Sequence, residues 1–333
     1  MIDLDQLPTL GFGLWKIPKE TTAETVYHAI KAGYRHFDAA SDYGNEAEVG
    51  EGIQRAIADG LVSREDLWIT SKLWNTYHAP EHVPLALERT LSDLQLDYLD
   101  LYLIHFPIAL EFVPFETRYP PEWFFDPDDD NPAMRPAMVP LHTTWAAMES
   151  LNQTDRVRHI GVCNYNTGLL HDLMRYCETP PQMLQIEAHP YLNQNRLVAL
   201  AKHYGLAVTA FSPLGASSYL ELDMATSEET LLENKVIQAI AAEHNKTSAQ
   251  VALRWASQRG THAVVKSVNF ERMQENLASL SFTLTSDNMA AIDALNQNRR
   301  FNDPGHFCLD AFNTLHPIYD LSLIHISEPT RPY

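Results

Sequence analysis

Cysteine is scarce in this chain of 333 residues, which has three in all, at Cys163, Cys177 and Cys308. The thiols form no C-x-x-C pair, and their odd number does not suit a disulfide scaffold. A structural zinc site, which commonly uses paired cysteines, is not indicated either. We therefore expect reduced and mostly buried thiols, as in a cytosolic protein.

Basic residues are also few, because 24 Lys and Arg stand against 43 Asp and Glu, and the formal net charge is -19. Such an acidic excess disfavours nucleic acid or an anionic membrane surface as a partner. No apolar run has the length of a bilayer span, and the start, MIDLDQLPTL, lacks the features of a signal peptide. We expect a cytoplasmic protein, monomeric or homodimeric, that acts on a small molecule.

Several common catalytic motifs are missing as well. There is no G-x-S-x-G nucleophile elbow and, despite 15 histidines, no H-E-x-x-H metal motif. The glycines of GFG at positions 11–13 do not continue with the spacing of a Rossmann or P-loop turn. A serine hydrolase and a metal site are thus disfavoured, and a nicotinamide cofactor would have to bind without a Rossmann domain.

What the chain does have is a regular alternation of short apolar runs and amphipathic segments. The runs cover residues 34–40, 67–72, 98–105, 159–164, 183–187, 206–212 and 262–267, with a weaker eighth near Ser281–Leu284. Helical periodicity fills the intervals, for example over residues 22–33, 45–60 and 82–94. This rhythm predicts an α/β fold of parallel βαβ units closed into a (β/α)8 TIM barrel, with a doubly wound open sheet as the alternative.

Two connections are longer than ordinary βα loops. Residues 106–140 are rich in proline and aromatic side chains, and residues 213–232 follow the sixth predicted strand. Long loops in a compact barrel are usually functional, so we expect both at the C-terminal rim as lids. The acidic run Asp128–Asp130 is expected to be a solvated turn.

The last residues, LSLIHISEPTRPY at positions 321–333, fit no pattern that precedes them. They resemble the translation of a sequencing-library adapter. We therefore expect a single barrel domain over residues 1–320 and a non-native tail after Asp320.

Each predicted strand ends in a polar residue. In a barrel the carboxyl ends of the strands converge on one rim, where this architecture builds its active sites. The residues are Asp38, Lys72, His105, Asn164, Gln185, Ser212 and Lys266. Seven such positions in register predict an active site at that rim.

Tyr43, in the segment DAASDYGNE, completes a chemical set for reducing a carbonyl group. Hydride addition leaves an alkoxide that needs a proton, and a Tyr hydroxyl can donate one once a nearby ammonium lowers its pKa. Lys72 is suited to that task, Asp38 to holding Lys72, and His105 to orienting the carbonyl oxygen. Each residue alone also has a structural interpretation: packing, a rim ion pair, a helix N-cap or a half-buried histidine.

Seven separated segments occur in an order that resembles the aldo-keto reductases. They are FDAASDYGNEAEVG, WITSKLWN, LYLIHFP, IGVCNYN, MLQIEAHPYL, AFSPLG and VVKSVNFERMQEN. The loop HFPIALEFVPFETRYPPEWF, the segment SYLEL and the terminal RFNDP are similar to the D-xylose reductase branch of that family. The resemblance covers nearly the whole chain, from about Leu10 to about Asp320.

The resemblance implies a catalytic tetrad in which Tyr43 is the general acid, Lys72 and Asp38 tune it, and His105 orients the substrate. It also implies a nicotinamide site made of Cys163, Asn164, Gln185, Phe211, Ser212, Leu214, Ser217, Glu221, Lys266, Ser267, Arg272 and Asn276. Substrate contacts would come from Trp15, Asp42, Phe106 and Asn302, with Trp123 as a further wall.

Within this resemblance, Lys266 and Arg272 would grip the adenosine 2′-phosphate and so favour NADPH. Glu221 stands where relatives with dual specificity hold the ribose of NADH, whereas Val268 replaces their Asn. We expect NADPH preference with some NADH use. Cys163 stands where most members have Ser, and Phe211 where they have Tyr.

The implied activity is reversible reduction of an aldose such as D-xylose, or of another aldehyde, to the alcohol. Three alternatives remain open. They are a general aldehyde reductase acting on compounds such as methylglyoxal, a nicotinamide-sensing binding subunit, and a barrel isomerase or aldolase that uses Lys72 as a Schiff base.

Overall fold

The structure, a computed structural model, describes residues 7–319 and shows a closed barrel of eight parallel strands in sequence order. The strands are β1 (Leu10–Gly13), β2 (His36–Asp38), β3 (Trp68–Leu73), β4 (Leu99–Ile104), β5 (Val157–Cys163), β6 (Met183–Glu187), β7 (Ala207–Phe211) and β8 (His262–Val265). β1 pairs with both β2 and β8, so the sheet has no edge. The predicted (β/α)8 barrel is confirmed, and the doubly wound open sheet is wrong.

Most of the helices surround the barrel and cover its outer face, whereas the last one lies at the carboxyl rim. They are α1 (Lys19–Ala32), α2 (Glu46–Ala58), α3 (Val83–Leu94), α4 (Leu141–Asn152), α5 (Thr167–Tyr176), α6 (Asn195–His203), α7 (Lys235–Glu243), α8 (Ser248–Gln258), α9 (Phe270–Leu277), α10 (Ser286–Asp293) and α11 (Pro304–Phe312). Strands β3 and β4 are buried along their whole length, as expected for a parallel sheet covered on both faces.

The eighth strand predicted near Ser281–Leu284 is wrong. A 3₁₀ turn occupies Ala278–Ser281, and the amide of Leu284 donates to the Gln258 side chain at 2.9 Å instead of joining a ladder. The strand that closes the barrel is β1, whose sequence LGFG carries little strand signal. Gly11 is required there because a Cβ would come within 2.5 Å of the His36 ring.

Local signals at helix ends are confirmed where they are strongest. Gly33 ends α1 with φ 116°, a conformation that favours glycine. Thr247 accepts from the amide of Gln250 at 3.3 Å, while the Gln250 side chain accepts from the amide of Thr247 at 3.1 Å. This reciprocal pair fixes the start of α8.

Two long connections follow β4 and β7, as predicted, and therefore lie at the carboxyl rim of the barrel. Asp128–Asp130 is exposed, in agreement with a solvated turn. In the part of the chain that the structure describes, no helix combines the length and apolar character needed to cross a bilayer. The predicted end at Asp320 and the tail 321–333 lie outside the described residues.

Candidate active site

A cavity of about 1310 Å³ opens at the carboxyl ends of the strands. Its walls include the β7–α7 loop (residues 212–234) and the C-terminal segment (residues 299–312). The predicted residues that line it are Trp15, Asp38, Asp42, Tyr43, His105, Phe106, Trp123, Cys163, Asn164, Gln185, Phe211, Ser212, Leu214, Ser217, Glu221, Lys266 and Asn302. Lys72 lies directly behind Tyr43, whereas Ser267, Arg272 and Asn276 are not among the lining residues.

At the base of the cavity, Lys72 connects two of the other tetrad residues. Its Nζ donates to Asp38 Oδ2 at 2.8 Å and to the Ala39 carbonyl at 2.8 Å, and lies 3.2 Å from the Tyr43 hydroxyl. Neighbouring strands β2 and β3 carry Asp38 and Lys72, and a 3₁₀ turn after β2 carries Tyr43. The sequence places these groups together because their strands are adjacent in the barrel.

The charges of this group depend on burial. Burial lowers the pKa of Lys72, but the Asp38 carboxylate together with Tyr43 and Cys163 outweighs that effect, so the net pKa lies above the usual value. Burial also raises the pKa of Tyr43, and Lys72 only partly opposes that rise. Lys72 therefore acts in the expected direction on Tyr43, but the expected net lowering is wrong, and the Tyr43 hydroxyl keeps its proton at neutral pH.

His105 follows β4 and packs its ring against Tyr43, with 5.9 Å between the ring centroids. Burial, and then the nearby Lys72, hold the pKa of His105 well below its usual range. The imidazole is therefore neutral at physiological pH, and a neutral imidazole can still donate one hydrogen bond to a carbonyl oxygen. Trp74 and Phe106 support the ring at 5.3 and 5.0 Å.

Gln185, at the end of β6, connects the tetrad to the predicted nicotinamide site. Its Nε2 donates to Asp38 Oδ1 at 2.7 Å, and its Oε1 accepts from Cys163 Sγ at 3.3 Å. Asn164 donates to the His105 carbonyl at 2.8 Å and adopts φ 62°. These three side chains are 1–2% exposed, so their positions are fixed before any ligand binds.

The far end of the cavity carries positive charge. Lys266 follows β8, lines the cavity and is exposed. Ser267 is buried beside it and binds the backbone of Asn269, the N-cap of α9. Arg272 and Asn276 lie on α9, so Arg272 comes near the helix end that attracts phosphate groups.

Glu221 does not stand free in the β7–α7 loop. Its carboxylate pairs with Lys16, and Lys16 Nζ also donates to the Ser218 carbonyl at 2.8 Å. Deeper in the loop, the Tyr219 hydroxyl lies 2.8 Å from Ser212 Oγ. Glu221 therefore already has a cationic partner at the position where the sequence suggested a ribose contact.

Aromatic rings wall the opposite side of the cavity. Trp123 lies 4.8 Å from Trp74 and 5.2 Å from Phe106, and Trp15 lies 5.8 Å from Tyr219. Among these rings, Asp42 lines the cavity next to Tyr43. Burial, together with Glu122, raises the pKa of Asp42 to about 7.

Asn302 reaches the cavity because a buried carboxylate holds its backbone. Glu187, at the end of β6, accepts from the amides of Phe301 at 2.9 Å and Asn302 at 2.8 Å, and from His189 at 2.9 Å. Although burial raises the pKa of Glu187, His189, the Arg300 guanidinium and the Phe301 amide together outweigh that effect and hold the pKa below its usual value. Among residues 7–319, the Asn302 Oδ1 atom has no hydrogen-bond partner.

Sequence reasoning did not find Lys16, Glu187, Tyr219 or Phe301. Lys16 and Tyr219 lie in loops without periodicity, and their contacts join segments far apart in the chain. Glu187 ends a predicted strand and sits in the pattern QIEAHPY, so its position at the rim was the one available signal.

Comparisons with known proteins agree with this geometry. The profile of the Aldo/keto reductase family matches residues 9–297. The chain belongs to the aldo/keto reductase family.

Individual relatives of this aldo/keto reductase cover most of its length. It is 50% identical over 301 residues, or 90% of this chain and 92% of the relative, to the NAD(P)H-dependent D-xylose reductase I,II of Candida tropicalis. It is 49% identical over 304 residues, or 90% and 93%, to an NADPH-dependent aldose reductase of Saccharomyces cerevisiae. An aldose reductase structure from Schistosoma japonicum matches with a TM-score of 0.79 and 38% identity, over 88% and 90% of the two chains.

The cavity of this aldo/keto reductase suits a nicotinamide dinucleotide. Buried amide groups of Asn164 and Gln185 lie at the tetrad end, the Phe211 ring lines the wall, and Lys266 supplies positive charge at the other end. This polarity matches a cofactor with an uncharged carboxamide at one end and phosphate towards the other.

Proposed function

We propose that this protein reduces an aldose such as D-xylose, or another aldehyde, to the corresponding alcohol with NADPH, and uses NADH less well. The main support for this proposal is the buried contact of Lys72 Nζ with Asp38 at 2.8 Å and with the Tyr43 hydroxyl at 3.2 Å, at the base of one large cavity. The printed names of the relatives, which include NAD(P)H-dependent D-xylose reductases and an NADPH-dependent aldose reductase, support the same reaction.

In this proposal the bound NADPH supplies a hydride to the carbonyl carbon. The Tyr43 hydroxyl donates the proton to the carbonyl oxygen, and Lys72 opposes the rise in the Tyr43 pKa that burial causes. Lys72, held by Asp38, stabilises the phenolate that remains. His105, as a neutral imidazole, donates a hydrogen bond that orients the carbonyl oxygen.

Lys72 is less suited to Schiff-base chemistry. That chemistry requires a neutral amine that can reach the substrate. Lys72 is fully buried, and although burial lowers its pKa, Asp38 together with Tyr43 and Cys163 holds that pKa above the usual value. The geometry therefore favours carbonyl reduction over a lysine-dependent aldolase or isomerase.

Polar groups beside the tetrad support an aldose as the substrate. Asp42 and Asn302 line the cavity, and the side-chain oxygen of Asn302 lacks a hydrogen-bond partner within the described part of the chain. Groups of this kind bind sugar hydroxyls and separate sugars from plain aldehydes. The acidic excess of the chain supports a small-molecule partner rather than nucleic acid. We further propose that the protein acts in the cytoplasm as a monomer or a homodimer.

The test is NADPH oxidation, followed at the nicotinamide absorbance, with D-xylose and methylglyoxal side by side. Saturable turnover of D-xylose supports the proposal. Turnover of methylglyoxal without turnover of D-xylose would contradict an aldose reductase and indicate a general aldehyde reductase. NADPH binding without turnover of either compound would contradict the proposal and favour a nicotinamide-sensing subunit.

A further inference from the structure

The Arg299 side chain, in the C-terminal segment, contacts the β7–α7 loop. The backbone amide of Arg299 is anchored to the barrel by the Tyr191 carbonyl at 3.0 Å. From this fixed point the guanidinium reaches into the β7–α7 loop. The β7–α7 loop contains predicted cofactor-binding residues, and the C-terminal segment contains the predicted substrate-binding residue Asn302. Their contact therefore joins the two halves of the site.

The guanidinium of Arg299 binds three acceptors at once. Its Nε donates to Glu229 Oε1 at 2.5 Å, one terminal nitrogen donates to the Met224 carbonyl at 3.1 Å, and the other to the Arg300 carbonyl at 2.6 Å. The side chains of Arg299 and Glu229 are only 22% and 27% exposed, so water screens this pair less than a surface pair. The planar fork of arginine suits such a multiple contact better than a lysine would.

Glu229 is itself fixed before Arg299 binds it. Its Oε2 accepts from the amide of Thr226 at 2.8 Å and from the Thr226 hydroxyl at 3.2 Å. This capping box orders the turn Ser227–Glu229. Arg299 therefore grips an ordered part of the β7–α7 loop rather than a freely rotating carboxylate.

A stack of rings runs parallel to this ion pair. Phe301 stacks on Tyr219 at 5.6 Å with 18° between the planes, and the Arg299 guanidinium lies 4.5 Å from the Phe301 ring. Tyr219 in turn contacts Ser212 through its hydroxyl. A shift of the β7–α7 loop would thus be transmitted to Phe301 and to its neighbour Asn302.

We propose that Arg299 is a positioning residue that couples the cofactor half of the site to the substrate half. When the β7–α7 loop is held by the cofactor, the Arg299–Glu229 pair fixes the C-terminal segment with Asn302 turned towards the substrate. By linkage, a sugar bound at Asn302 holds the cofactor more tightly. The inference rests on the proposed function for the two ligands, but the contact itself does not.

The experiment compares the wild type with Arg299→Met, Glu229→Gln, the double variant and the control Glu228→Gln. Gln at position 229 can still serve in the capping box but loses the charge that Arg299 binds. Glu228 is an exposed acid in the same turn and makes no ion pair among the described residues, so its variant controls for charge. Thermal unfolding checks that each protein is folded.

Two kinetic readouts separate coupling from a local structural role. Arg299→Met and Glu229→Gln are each expected to raise the NADPH dissociation constant and the KM for D-xylose by about fivefold. The KM for methylglyoxal, which has no sugar hydroxyls to reach Asn302, stays near the wild-type value. The double variant is no worse than either single variant, because one contact has been removed twice.

A third readout does not depend on activity. Hydrogen–deuterium exchange should become faster in residues 212–234 and 299–312 together in Arg299→Met, and in neither segment in Glu228→Gln. Faster exchange in one segment alone, or additive effects in the double variant, would overturn the proposal. If the wild type reduces neither compound, the proposed function fails, whereas the exchange measurement still decides whether Arg299 couples the segments.

Discussion

The two ends of the cavity are built in different ways. At the tetrad end, Asp38, Lys72 and Gln185 are borne by strands, are 0–3% exposed, and are joined by hydrogen bonds of 2.7 and 2.8 Å. At the outer end, Lys266 is exposed and Glu221 depends on a loop-to-loop contact with Lys16. The strands fix chemistry that tolerates little displacement, whereas the loops supply binding that must open and close around a large ligand.

The difference has an energetic consequence. A buried polar group that loses its partner keeps its full desolvation cost, whereas an exposed group recovers water. Substitutions at the tetrad end should therefore affect both stability and chemistry. Substitutions at the loop end should change affinity and leave the fold intact.

Lys72→Met tests the tetrad end of the cavity and should have the largest effect. Loss of the ammonium leaves Asp38 buried with only Gln185 and removes the group that stabilises the Tyr43 phenolate. We expect kcat with D-xylose to fall by about 10²- to 10⁴-fold and the free energy of unfolding to fall by about 3–5 kcal/mol. Steady-state kinetics and urea unfolding measure the two effects.

Lys31→Met is the matched control, because Lys31 is an exposed residue at the end of α1. It should change neither quantity appreciably. An active and fully stable Lys72→Met protein would show that the buried ion pair is dispensable.

Lys266→Met tests the loop end with an intermediate effect. In the proposed function, the exposed Lys266 ammonium binds the 2′-phosphate of NADPH, which NADH lacks. We expect the NADPH dissociation constant to rise about tenfold, with unchanged NADH affinity and unchanged thermal stability. Fluorescence titration with both cofactors measures this, and Lys235→Met on α7 is the control. Equal losses for the two cofactors would contradict a 2′-phosphate contact.

A pH dependence is expected at Asp42, which lines the cavity next to Tyr43. Since its pKa is raised to about 7, the carboxyl is protonated below that pH and ionised above it. An ionised carboxylate accepts sugar hydroxyls more strongly, so KM for D-xylose should fall a few-fold between about pH 6 and about pH 8. Asp42→Asn should remove that dependence, and a KM that rises with pH in the wild type would contradict it.

The same shift has the opposite sign for stability. A carboxyl whose pKa is raised by folding contributes stability at acid pH that is lost as the pH rises through about 7. The stability difference between Asp42→Asn and the wild type should therefore shift towards the variant as the pH rises. Thermal melts at several pH values measure this, with Asp59→Asn on the exposed surface as a control.

The smallest expected effect comes from Cys163→Ser. A hydroxyl is a better donor than a thiol, so the bond to Gln185 Oε1, now 3.3 Å from the sulfur, should strengthen. We expect NADPH affinity to rise by no more than about twofold without a change in the fold. A large loss of affinity would show that the sulfur itself is needed.

The proximity of Asp38, Tyr43, Lys72 and His105 was predictable from the sequence because each of them follows or ends a strand with a clear apolar pattern. Closure of the barrel was misassigned, since the two glycines of LGFG weaken the strand signal and Gly11 is explained only by its contact with His36. The prediction of a lowered pKa for Tyr43 was also wrong, because burial raises that pKa and burial depends on packing that a sequence does not display. The Arg299–Glu229 and Lys16–Glu221 pairs join distant loops and have no local signature.

In the proposed mechanism, Tyr43 donates the proton in a carbonyl reduction. Tyr43→Phe removes only the hydroxyl and keeps the ring that packs on His105. Steady-state kinetics and NADPH binding of this variant therefore test the role of the hydroxyl alone. We expect kcat with D-xylose to fall by about 10²- to 10⁴-fold, while the NADPH dissociation constant stays within about twofold of the wild type. Turnover of D-xylose at the wild-type rate by Tyr43→Phe would contradict that role.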